Sequence, residues 1–123
     1  MKEKIFKEGL EELKKLCKEN ANKHGFYIEW ERGKTSLNPI EALMKIVSEA
    51  SEAMEAYVSQ TLPNNGKNKV HQENWKENFE EEIIDMLIRI FHLAGDLELD
   101  LFSIFKKKME YNKRRPKLHG KLT

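Results

Sequence analysis

Four carboxylates stand at spacings that could do chemistry together, Glu49 with Glu52 in one segment and Glu82 with Asp85 in another. On a helix, residues three apart are separated by about 60° around the axis, so each pair converges on one point beside its helix. Two such pairs on neighbouring helices offer four oxygen donors. That is the ligand set of a hard cation such as Mg2+, with Mn2+ as a substitute, which keeps waters for the rest of its octahedron. Zinc fits less well, because no His or Cys stands at ligand spacing on these segments. Ala42 and Ala53 flank Glu49 on the helical wheel, and Ala56 lies between the two glutamates; these small residues allow another helix to approach the acidic face. Packed like charges repel and burial raises their pKa values, so the arrangement is costly without a cation. The alternative is a solvated face paired with lysines, which a chain with 21 acidic residues readily produces.

Helices must position these groups. Ile5, Phe6, Leu10, Leu13, Leu16 and Cys17 recur at spacings of three and four, predicting a first helix that ends near His24 and Gly25. The period is lost from Phe26 to Leu37. Asn38-Pro39-Ile40-Glu41 then combines a capping residue, proline at the first helical position and glutamate at the capping-box position, opening a second helix that stops before Leu62-Pro63. Its apolar stripe includes Leu43, Val47, Met54 and Val58. A third helix runs from Trp75 to about Glu98 on a stripe of Phe79, Ile83, Met86, Leu87, Ile90 and Leu93. Asp100 caps a fourth, which closes before Arg115-Pro116. The expected fold class is all-α, a four-helix bundle-like single domain over residues 1–123, with 112–123 as a basic tail.

The composition agrees with a small domain that shares its core. The chain has 123 residues, 35% of them charged and 39% hydrophobic, and its mean hydropathy is -0.73. Such a chain is expected to complete its core by homo-oligomerisation, as a dimer or tetramer. No apolar run approaches the roughly 20 residues needed to span a bilayer, and the first segment is too acidic for a signal peptide, so no membrane partner and a cytoplasmic location are expected. The lone Cys17 excludes an internal disulfide and reads as a small core residue.

Net charge is +1, yet the charges are segregated. Glu77 to Asp100 holds eight acids and one base, Arg89, whereas Lys106 to Lys121 holds eight bases and one acid, Glu110. A triphosphate with its cation needs carboxylates for the metal and Lys or Arg for the free phosphate oxygens. Lys108, Asn112, Lys113 and Arg115 are the candidate substrate-binding residues of the tail, which otherwise is a solvated or nucleic-acid-binding segment. Trp30 is a candidate stacking platform for a base, with loop anchoring as its alternative; Trp75 lies on the main apolar stripe and fits core packing better. His92 faces away from that stripe as a structural or solvated residue, and His24, His71 and His119 lack metal-ligand spacing.

The segment Ile46-Val47-Ser48-Glu49-Ala50-Ser51-Glu52-Ala53-Met54-Glu55-Ala56, followed by Glu81-Glu82-Ile83-Ile84-Asp85-Met86-Leu87, resembles the paired motifs of the MazG-like all-α nucleoside triphosphate pyrophosphohydrolases. That pattern is Glu-Glu-x-x-Glu on one helix and Glu-x-x-Asp on the next. The basic run from Lys108 to Pro116, with His119-Gly120-Lys121, is similar to the tail of members of the family. The resemblance implies a MazG-type fold, metal held by Glu49, Glu52, Glu82 and Asp85, and Mg2+-dependent hydrolysis of a nucleoside triphosphate to monophosphate and pyrophosphate. Ser48 departs from it, standing where the first glutamate belongs, and the connection from Ala53 to Glu81 is long. Glu52 is the expected general base that orients the attacking water. The competing expectations are a non-catalytic helical interaction module and a nucleic-acid-binding protein using its tail, the latter disfavoured by the near-zero net charge.

Overall fold

A computed structural model describes residues 2–23, 38–62 and 73–116. These form four α-helices, α1 (Glu3–Lys23), α2 (Pro39–Val58), α3 (Trp75–Asp96) and α4 (Leu101–Arg114), and a 3-10 turn at Ser59–Thr61. Among the described residues there is no strand. No described helix is long and apolar enough to cross a membrane.

The local signals act as their chemistry dictates. Asn38 caps α2, its side chain accepting from the backbone N–H groups of Ile40 (2.9 Å) and Glu41 (3.2 Å), and Pro39 takes the first helical position, where no N–H is required. The α2 chain turns out through Ser59, whose buried hydroxyl donates to the Ala56 carbonyl at 2.6 Å. Helix α3 closes in a Schellman motif. Leu99 N–H donates to Ala94 and Glu98 N–H to Gly95, and Glu98 takes the left-handed conformation at φ 54°. Asp100 then caps α4 by accepting from the Ser103 N–H at 3.1 Å.

Helix α3 packs on both α2 and α1, and α4 lies on α1. The α2–α3 pair is antiparallel, since Glu49 meets Arg89 while Tyr57 meets Trp75 and Phe79. Helices α1 and α3 are antiparallel and close. A Cβ added at Gly95 would lie 3.0 Å from the Lys14 carbonyl oxygen, and Lys14, buried, donates from Nζ to the Leu99 carbonyl at 2.7 Å. The first turns of α1 hold α4 through Phe6 against Phe102 and Phe105 and an ion pair of Glu3 with Lys106 at 2.9 Å.

The core is built of small side chains. Among the described residues Cys17, Ala21, Ala42, Ala53, Ala56 and Ala94 are the buried apolar ones, and no large side chain is fully enclosed. On α2 the long apolar residues expected to line a core remain open instead, Val47 and Met54 at 67% exposure and Leu43 at 48%, while Phe79, Ile83, Met86 and Leu93 of the expected α3 stripe are half-buried. Helix α2 therefore turns its alanine and acid face to its neighbours. Alanines permit close approach of backbones, whereas the bulkier stripe is left facing outward.

Candidate metal centre

Two helical faces build the centre. Ala42, Ala53 and Ala56 are buried and bring α3 against α2 where Glu49 projects. On α3, Glu82, Asp85 and Arg89 follow at intervals of three and four, one face of the helix. Each of Glu49, Glu82 and Asp85 offers a carboxylate oxygen within 4.8 Å of the others. Glu49 is largely enclosed, Glu82 half-buried and Asp85 exposed, so the cluster is open on one side to solvent and to a ligand.

Electrostatics divide the carboxylates by role. The Glu82 carboxyl is pushed up to about 8, first by the Glu49 and Glu52 carboxylates within hydrogen-bonding reach, then by burial, then by their negative charge. Burial alone would raise Glu49 too, but hydrogen bonds to Glu82 and Arg89 and the guanidinium charge outweigh it and hold Glu49 below the usual range. Arg89 donates from Nε to Glu49 Oε1 at 2.9 Å. One proton shared between acids and one guanidinium thus neutralise part of a cluster that a divalent cation would neutralise directly. Glu82 Oε2 is shielded from solvent and has no hydrogen-bond donor. An all-oxygen set containing such an atom could hold a hard divalent cation.

The structure gathers three of the four expected ligands. Glu52 stands outside the 4.8 Å set, exposed at the rim, while its carboxylate reaches Glu82 and Glu49. Beside the cluster, between α1, α2 and α3, lies a cavity of about 240 Å³ bordered by Asn20, Glu49, Asp85, Arg89, His92 and Cys17.

The expected substrate-binding residues fall elsewhere. Lys108, Asn112 and Lys113 are exposed on α4, with Arg115 at its end. Lys108 and Arg115 lie over the Tyr111 ring at 5.2 and 5.1 Å. None of the four borders the cavity, and α4 packs on α1. Trp30 lies outside the described residues, as do His24, His71 and His119. Trp75 meets Tyr57 edge-on at 5.6 Å, a packing role between α2 and α3. Cys17 is buried, and burial pushes its thiol up.

Sequence reasoning missed Arg89 and the place of His92. Arg89 is four residues after Asp85 and seven after Glu82, a spacing that puts a base on the acidic face. His92 faces away from the apolar stripe, yet that side is where α1 packs, so it is buried at the cavity wall and burial holds its pKa down. No family model, curated protein or solved structure matches this chain.

Proposed function

We propose that this chain is a Mg2+-dependent nucleoside triphosphate pyrophosphohydrolase, cleaving an ordinary or modified nucleotide to its monophosphate and pyrophosphate in maintenance of the nucleotide pool. One observation carries the reading. Glu49 from α2 and Glu82 and Asp85 from α3 bring oxygens within 4.8 Å of one another, with the order and spacing of the paired motifs described above.

Glu49, Glu82 and Asp85 would hold the cation, with Glu52 at the rim. When bound, Mg2+ supplies positive charge to offset the triphosphate and eases deprotonation of a water molecule. Glu52, exposed and adjacent to the cluster, would orient that water and accept its proton. Glu49 is fixed by Arg89, so its carboxylate is preset on the cluster side of α2. Lys108, Lys113 and Arg115 would meet phosphate oxygens if a second copy brings its α4 to the cluster, and the open apolar stripe of α2, with the exposed Leu87 and Ile90 of α3, supports such self-association.

The same open apolar residues favour a second reading, a helical interaction module without turnover. Incubation with a panel of ordinary and modified nucleoside triphosphates, with Mg2+ or with EDTA, tests both. Pyrophosphate release that EDTA abolishes is the expected result. No release from any nucleotide, with a folded chain, would leave the interaction module.

A further inference from the structure

We infer that Arg89 is an exchangeable counter-ion: its guanidinium holds Glu49 while the cluster is free of metal, and turns into the adjoining cavity as an oxyanion-binding group when a divalent cation takes the carboxylates. This rests on the cation site proposed above.

Three observations lead to it. The 2.9 Å contact from Arg89 Nε reaches Glu49 Oε1, and Glu49 is also one of the three residues whose oxygens converge within 4.8 Å. A cation at that point and a guanidinium on the same carboxylate repel each other, so the two positive charges compete for Glu49. Second, space for the displaced group exists. Arg89 borders the 240 Å³ cavity together with Glu49, Asp85, Asn20 and His92, and its side chain keeps 30% exposure while Glu49 keeps 13%. A long, partly wet stem on the cavity wall has room beside it for a second rotamer.

Third, the chain's charge layout gives Arg89 a task after release. It is the one base between Glu77 and Asp100, and the bases of α4 do not border the cavity. Lys18 and Lys45 act on His92 from α1 and α2, but Arg89 is the one Lys or Arg bordering the cavity among the described residues, so a triphosphate oxygen that enters beside the carboxylates meets Arg89, whose planar fork suits two phosphate oxygens at once. The exchange links cation and nucleotide: Mg2+ frees the group that binds the anion, and the chain without metal keeps it paired.

The test separates cation binding from nucleotide binding. Mn2+ affinity of the chain alone is read by electron paramagnetic resonance, and affinity for a non-hydrolysable α,β-imido nucleoside triphosphate with Mg2+ by calorimetry, for the natural chain and for Arg89→Gln. Removing the competitor should tighten Mn2+ binding by about tenfold while weakening the nucleotide analogue by about tenfold or more. A purely structural arginine would weaken both together, and that result, or unchanged Mn2+ affinity, overturns the exchange. On the unaltered chain, the Arg89 Nε–H signal in a 15N spectrum should shift on adding Mg2+; a fixed signal at saturating Mg2+ also overturns it. If the natural chain binds no Mn2+, the cation site itself fails and the exchange falls with it.

Discussion

Cation binding at the cluster should expel a proton, and the amount follows from the Glu82 carboxyl. With that group pushed up to about 8 by its neighbours, it is about 90% protonated at pH 7, half at pH 8 and about 10% at pH 9. A ligating carboxylate must be ionised, so Mg2+ binding releases about 0.9, 0.5 and 0.1 protons at those pH values. Apparent affinity should rise about tenfold between pH 6 and 7, about fivefold between 7 and 8, and less than twofold from 8 to 9. Titrating Mg2+ calorimetrically in two buffers of different ionisation enthalpy counts the protons directly. Glu82→Gln removes the proton and a ligand together, so any remaining binding should be weak and independent of pH across this range. Tight Mg2+ binding by the natural chain without proton release between pH 6 and 8 would refute the crowding of Glu82 by Glu49 and Glu52.

Without metal, the raised Glu82 carboxyl makes the folded chain bind more protons than the unfolded one between about pH 4.5 and about pH 8, so stability in EDTA should fall across that window and level off above it. Glu82→Gln should flatten the slope and, after allowance for the wet rim, gain about 1–2 kcal/mol at pH 8 and little at pH 5, read by thermal melts. Gly95→Ala should cost about 1–3 kcal/mol, because the new methyl meets the Lys14 carbonyl at 3.0 Å and that backbone cannot rotate aside; an unchanged denaturation midpoint would contradict the close α1–α3 approach. Val47→Asp should shift the chain toward monomer in sedimentation velocity, with a charge placed on the open stripe.

The helices were legible wherever a local chemical signal marks an end. Asn38-Pro39 and Asp100 are read from the sequence as starts and act as caps through their side-chain oxygens, and Glu98 lies at the turn that stops α3. The alanines around Glu49 also disclosed the packed acidic face, since a helix can approach only where side chains are short. Packing direction was harder. Hydrophobic periodicity points to the Leu43–Val47–Met54 side as the core, but within one chain α2 spends its alanine side on α3. His92 was obscured for the same reason, its burial being set by α1, a helix distant in sequence. Arg89 carried a visible i, i+3, i+7 signal with Glu82 and Asp85; what the sequence lacked was the partner, because Glu49 is 40 residues away.

The burial pattern also separates two needs that a single apolar stripe cannot meet. The proposed cation centre requires carboxylates brought close on facing helices, and the alanines bring them close, but methyl groups remove little area from water at about 25 cal/mol per Å². Further stability must then come from the larger side chains, of which those on the outer face of α2 stay open in the isolated chain. Covering them with a second copy would stabilise α2 and α3 from outside while leaving the acidic seam between them unchanged. It follows that the Val47→Asp variant should lose thermal stability and association yet keep the Mg2+ affinity of the natural chain at temperatures where it remains helical. Mg2+ affinity that disappears together with association would mean that a carboxylate or a wall of the centre comes from the second copy, and that the seam within one chain is not the cation site.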